Sequence, residues 1–375
     1  MVSSAASIDG DEVISDRVSL MRERHDGHSC RSRERIAMTD WPRESGSFAL
    51  GDFAVEKGGV IRDAQIGWER HGSLNAAGDN LVLYPSSYTA QHADMAWLVG
   101  PDRVLDPTKY CIVAVDMFSN GVSSGAAETA DYPPLVTIAD NARAQHRLVT
   151  EHFGVERLAA VYGFSMGGLQ AYHWAAMYPA MVERAIVVCG SARTATHNKV
   201  FLSGLLRTLE AAPEHIGGGR FSAEPSAALR AFGHIYAGWG LSQDFYRANL
   251  HLTALGAPDL ETFLRVNWAE RFMQRRAANL YAQALAWFHA DIADNDRQHG
   301  DLTSALRAIS ARVLLLPGET DLYFRVADNA AELPHLGNAE LSPIPSIWGH
   351  RAGNPDAVPE DEAFLRDAVR RWMDV

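Results

Sequence analysis

Residues 158–178 read LAAVYGFSMGGLQAYHWAAMY, and the reading of the fold turns on Gly163-Phe164-Ser165-Met166-Gly167-Gly168 in their middle. An apolar strand-like run enters the motif and a helix-forming run leaves it. A serine between the two sits on a tight strand-to-helix turn, where small neighbours let the backbone take strained dihedrals. The helix N-terminus behind it favours developing negative charge. That context makes Ser165 the expected nucleophile. The pattern alone is weaker, because Gly121-Val122-Ser123-Ser124-Gly125 matches it too. Ser123, however, follows its strand only after a gap and leads into AAETADYPP, which cannot open a helix. It reads as a loop residue.

Working outward, 48–56 and 60–70 read as a hairpin around Gly58-Gly59. Short apolar runs at 80–84, 111–115, 158–162, 185–189, 312–316 and 341–345 read as buried strands. Helical stretches fall between them at 137–152, 167–178, 302–310, 326–335 and 359–373. The alternation predicts an α/β fold with a mostly parallel sheet covered on both faces. The interval 192–300 breaks the rhythm and reads as helices carrying Trp239, Trp268, Tyr281 and Trp287. It is expected to be a helical cap inserted into a core of 45–191 and 301–375. Its aromatics are expected to be mainly core, with some lining an acyl pocket.

A serine nucleophile needs a base to take its proton and an acid to orient that base. On this kind of sheet they follow the serine in the order acid, then histidine. Pro317-Gly318-Glu319-Thr320-Asp321 follows the late strand 312–316, and Asp321 is the preferred acid, with Glu319 its local competitor. Of fifteen histidines only His335 and His350 lie beyond it. His335 ends a surface helix. His350 lies in the Gly-flanked loop IWGHRAG, where a mobile, exposed imidazole suits general-base work. The oxyanion hole should use the backbone N–H of Met166 and a second N–H from the loop Tyr84-Pro85-Ser86-Ser87-Tyr88, at Ser86 or Ser87, with Ser86 preferred.

Composition removes other classes. Among 375 residues, 34 are basic and 46 acidic, a formal charge of −12, which argues against nucleic acid or an anionic membrane as partner. Only Lys57, Lys109 and Lys199 are lysines, and none follows a glycine, so no phosphate-binding Gly-Lys-Ser/Thr loop exists. Asp116 ends a strand, yet no G-x-G-x-x-G precedes it. Cys30, Cys111 and Cys189 are too few for a disulfide framework or a cysteine-based zinc site. No cofactor and no metal is expected. No apolar run reaches the ~20 residues of a membrane span, and a cytoplasmic location is expected. Residues 1–44, rich in Ser, Arg, Asp and Glu, read as a disordered tail, and the natural start is left open between Met1 and Met38, just before the recognisable pattern begins.

With these residues in hand, the chain resembles the homoserine O-acetyltransferase-like branch of the α/β-hydrolase superfamily. The likeness runs from about Gly46 onward. It rests on Asp140-Asn141-Ala142-Arg143-Ala144-Gln145, on Gly163 to Ala171, and on Met181-Val182-Glu183-Arg184 leading to Gly190-Ser191-Ala192-Arg193, with Asp321 and His350 completing it. The resemblance implies an α/β-hydrolase fold, acyl transfer through an acyl-serine, a helical cap and a homodimer. The amino-acid acetyltransferases of the branch carry Tyr-Arg-Ser and Arg-Phe-Asp segments in the cap, where this chain has Ala237-Gly238-Trp239-Gly240-Leu241 and Arg275-Arg276-Ala277-Ala278-Asn279-Leu280-Tyr281. The set looks more like the esterase-type members that hydrolyse alkyl acetates. The expectation is a serine esterase for small short-chain esters, acetates above all. The alternative is transfer of the same acyl group from a CoA thioester to an alcohol or amine. A hydrolase-fold binding protein without catalysis is a third reading, and the complete set of Ser165, Asp321 and His350 counts against it.

Overall fold

The structure is a computed structural model and describes residues 41–356 and 358–374. Most of the expected tail, and the start at Met38, lie outside the described residues. Within them the first strand already begins at Arg43.

Eight strands form one sheet in the order β1-β2-β4-β3-β5-β6-β7-β8. They are β1 (Arg43–Ala54), β2 (Val60–His71), β3 (Leu81–Pro85), β4 (Cys111–Val115), β5 (Ala160–Phe164), β6 (Arg184–Val188), β7 (Arg312–Leu316) and β8 (Ala339–Leu341). β1 and β2 are an antiparallel hairpin, with Gly58 and Gly59 at positive φ in its turn, and β2 runs antiparallel to β4. From β4 to β8 every pairing is parallel. The central strands are fully buried apolar runs, which is what helices on both faces require.

Two strands differ from the sequence reading. β5 is shifted two residues along, so that it delivers Phe164 directly to Ser165; Leu158 only bridges Val182. β8 stops at Leu341, because Pro343 and Pro345 have no N–H to give a ladder, and Ile344 alone bridges back to Gly318.

Between β6 and β7 the described residues hold helices and two isolated bridges but no strand. The long helices are Thr196–Glu210, Ser226–Gly240 and Ala277–Phe288. Their buried faces, with Phe201, Leu205, Phe232, Leu280 and Trp287, pack on Met166 and Leu169 of the helix Met166–Met177 and on Tyr323 and Phe324 from the loop after β7. Trp287 is fully buried, as a core residue should be, while Tyr236, Trp239 and Trp268 are only half-buried against the same cluster. A separate core lies among the sheet and the helices Ile138–Arg147 and Met166–Met177.

Candidate active site

The turn at Ser165 is built by what its neighbours lack. Ser165 has φ 57° and ψ −121°, a conformation that L residues rarely adopt. A Cβ on Gly163 would stand 1.9 Å from Gly167 O, and one on Gly167 would stand 2.6 Å from Pro85 O. Gly168 faces Gly190 so closely that its Cβ would be 3.1 Å from the Gly190 Cα. The strained backbone is held on both sides: Ser165 N donates to Val188 O at 2.9 Å, and Ser165 O accepts from Leu169 N at 3.1 Å.

The two late residues converge on this serine. His350 Nε2 is 2.8 Å from Ser165 Oγ, and His350 Nδ1 is 2.7 Å from Asp321 Oδ2. With the ring proton on Nδ1 donated to the carboxylate, Nε2 is free to accept from the serine hydroxyl. Asp321 is itself oriented, since its Oδ1 accepts from Tyr323 N at 2.7 Å and Phe324 N at 3.3 Å. Glu319 is exposed, and its N–H bonds Ile344 O, so the competitor acid stands outside the site. His335 ends the turn Leu333–His335 and makes no bond to Ser165 or Asp321. Ser123 is a buried loop residue whose hydroxyl accepts from Gly67 N and donates to Asp116 O.

The expectation of an exposed imidazole is corrected. His350 is 7% exposed, enclosed by the rings of Phe164, Tyr323 and Phe324 at 4.8, 4.9 and 5.6 Å. Its loop is clamped from two sides. Thr320 Oγ1 donates to Ser346 O and accepts from Gly349 N, while Ser242 Oγ, beyond the helix Ser226–Gly240, donates to Ile347 O at 2.5 Å. Gly349, at φ 63°, lets the chain pass Ser242, where a Cβ would stand 2.6 Å from the Ser242 nitrogen.

The preference for Ser86 as oxyanion donor is also corrected. Ser86 N already donates to Val115 O at 2.8 Å, extending the parallel ladder one residue beyond β3. Its hydroxyl accepts from Met117 N at 2.9 Å, and its carbonyl accepts from Gln170 Nε2 at 2.8 Å. Ser86 is a knot that holds the loop. Ser87 N–H, the other possibility read from the sequence, makes no hydrogen bond among the described residues. Met166 N is the first N–H of the helix Met166–Met177, which leaves it without an acceptor inside the helix.

Sequence reasoning missed the buried amides behind this loop. Gln170 accepts from Gln145 Nε2 at 2.6 Å, and Gln145 Oε1 accepts from Trp174 Nε1 at 2.8 Å. Asn141 Oδ1 takes Phe118 N at 2.8 Å. Their signal was present as polar residues inside the apolar helices 137–152 and 167–178. Tyr88 was likewise unread: its hydroxyl donates to Leu280 O at 2.9 Å and its ring stacks on Tyr236.

A doubly covered parallel sheet with a strained serine at a strand-to-helix turn, bonded through histidine to an aspartate, defines the nucleophile-elbow hydrolases. The family described as alpha/beta hydrolase fold matches residues 98–346. An ethyl acetate hydrolase of Pseudomonas veronii is 34% identical over 308 residues, covering 80% of this chain and 87% of that one. The structure of the acetyl esterase MekB superposes with a TM-score of 0.80 at 30% identity, covering 87% of this chain and 97% of that one. A homoserine O-acetyltransferase of Symbiobacterium thermophilum is 28% identical over 359 residues, covering 85% and 91%. The chain belongs to the alpha/beta hydrolase fold family, in the branch that holds both esterases and homoserine O-acyltransferases.

Proposed function

We propose that the chain is a serine esterase hydrolysing small short-chain esters, acetates above all, through an acyl-serine intermediate. The hydrogen-bonded series Ser165–His350–Asp321 carries this reading. Ser165 Oγ attacks the ester carbonyl while His350 Nε2 takes its proton. Met166 N and Ser87 N bind the oxyanion. As the carbon–oxygen bond breaks, His350 returns that proton to the leaving alcohol. Water then gives its proton to His350 and attacks the acyl-serine; as the bond to Ser165 Oγ breaks, His350 passes that proton to Oγ and the acid leaves. Asp321 keeps the imidazole in the required tautomer and stabilises its charged form.

The substrate class is supported by the ethyl acetate hydrolase and acetyl esterase relatives. The half-buried aromatics Tyr236, Trp239 and Trp268 of the helical cap over 192–300 pack around Tyr323, whose ring meets His350, an apolar surround that suits a small acyl or alkyl group. The same reading carries a cytoplasmic enzyme with free, buried Cys111 and Cys189, and a homodimer, which size-exclusion chromatography with light scattering checks. Among the described residues no helix is long and apolar enough to cross a membrane.

Acyl transfer from a CoA thioester is the second reading, supported by the homoserine O-acetyltransferase relative. It stands second because the esterase relatives share more sequence. An ester panel of varied acyl and alcohol length, run beside acetyl-CoA consumption with and without homoserine, separates them. Hydrolysis of ethyl or p-nitrophenyl acetate that vanishes in Ser165→Ala supports the first. Acetyl-CoA consumption that depends on an alcohol, without ester turnover, supports the second.

A further inference from the structure

β6 ends at Val188, and the next residue, Cys189, is fully buried with φ 45°. That left-handed backbone suits glycine, yet the chain places a side chain there. Its sulfur lies among the loops that carry the late members of the triad. The nearest ligand atoms of Cys189, Asp321 and His350 all lie within 4.8 Å of one another. Sγ is 3.8 Å from Leu316 O, at the end of β7. The N–H groups of Gly318, in the acid loop, and Gly353, in the histidine turn, both face it. A Cβ on Gly353 would stand 2.8 Å from Sγ, so the turn closes on the sulfur only because Gly353 has none. Burial pushes the thiol pKa well above its usual value, so the group is a neutral S–H; it donates to Leu316 O, and its sulfur lies beside the Asp321 carboxylate. A buried cysteine that only filled space would have no need of a strained backbone or of two inward-facing N–H groups.

We infer that Cys189 is a positioning residue, whose thiol braces the Asp321 carboxylate and sets the spacing between the Gly318 and Gly353 loops so that His350 stays in line with Ser165. The inference rests on the esterase reading above. It adds a fourth side chain that touches no substrate and acts through Asp321 and His350.

The test compares the full-length wild type with Cys189→Ala, Cys189→Gly and Cys189→Ser in p-nitrophenyl acetate kinetics, with thermal melts of each. Cys189→Gly removes the thiol and also relieves the backbone, so it keeps a folded reference. The expected result is a roughly tenfold or larger fall in kcat with KM within twofold for the Ala and Gly variants. Cys189→Ser, which retains a small donor, should recover most of the loss. Wild-type kcat in Ala or Gly overturns the inference. So does a Ser variant as slow as Ala, or loss of folding in both Ala and Gly, which would make the thiol merely structural. A parallel Ser165→Ala control keeps the two readings apart. If it remains active, the triad reading fails; if it is inactive while Cys189→Ala is normal, only the positioning role fails.

Discussion

The backbone N–H of Ser86 donates to Val115 O at 2.8 Å, so the parallel ladder runs one residue past β3 and ends at the loop proposed to hold the oxyanion. Every polar group of Ser86 is bonded within the protein, and the next N–H along the chain, that of Ser87, is left for a ligand. The sheet thereby holds the residue before Ser87 and leaves the Ser87 N–H, the proposed donor, unbonded among the described residues.

From this relationship, Ser87→Pro, which deletes the N–H, should lower kcat for p-nitrophenyl acetate by ~10²–10³ while circular dichroism stays native. Ser86→Ala should act the other way round. It strands Met117 N, costs about 1–2 kcal/mol in urea denaturation, and leaves kcat within about tenfold. Full activity in Ser87→Pro would place the second donor elsewhere.

Asp321→Asn should fold, because an amide oxygen can still accept from Tyr323 N. Its NH2 would then face His350 Nδ1, forcing the proton to Nε2 and removing the acceptor that Ser165 needs. A fall in kcat of about 10³–10⁴ is expected, with KM little changed. Steady-state kinetics with a melting curve check both halves.

The elbow makes a stability prediction. In Gly163→Ala the new Cβ would meet Gly167 O at 1.9 Å, inside a turn whose partners are backbone and cannot swing aside. A loss above about 3 kcal/mol is expected, read as an insoluble or unfolded product. Gly349→Ala presses on the Leu241–Ser242 backbone instead, at φ 63°. It should remain folded but lose activity, because the displaced loop carries His350.

Glu332 sets a pH dependence of stability. Burial raises its carboxyl to about 7 against an ordinary 4.5, although Ala192 N, Tyr172 Oη and Asn329 Nδ2 all donate to it. A carboxyl whose pKa is raised in the folded state binds its proton more tightly there than in the unfolded chain. Its contribution is therefore fully present below pH 4.5 and lost as pH rises through about 7, up to ~3 kcal/mol in all. Urea denaturation at pH 5 and pH 8 should show wild type losing stability relative to Glu332→Gln on going to the higher pH. A pH-independent difference between the two proteins would contradict it.

Much of the site was legible because its signals are local. The elbow needs strand, small residues and helix in immediate succession, and those lie within 158–178. Asp321 and His350, which the fold brings to Ser165, follow late apolar strands, and that placement constrains the order of residues around a parallel sheet. The burial of His350 was not legible, since it depends on Ser242 and on the rings of Tyr323 and Phe324, brought together only in the folded chain. The choice between Ser86 and Ser87 failed for a related reason. It turns on one hydrogen bond to Val115, across a strand pairing that the sequence does not register. Cys189 read as a buried small hydrophobe, and its burial agrees; its φ and its nearness to Asp321 were invisible.

Local sequence specified the strand and helix alternation, the serine at the turn and the aspartate and histidine that the fold brings to it, because periodicity and glycine placement act over a few residues. Which N–H groups are free, how deeply the imidazole is enclosed, and which side chains pack behind Asp321 and His350 follow from the folded chain alone. Those properties belong to contacts between residues as distant as Ser165 and His350, 185 positions apart. A hydrogen bond or a buried ring exists only when both partners have been brought together.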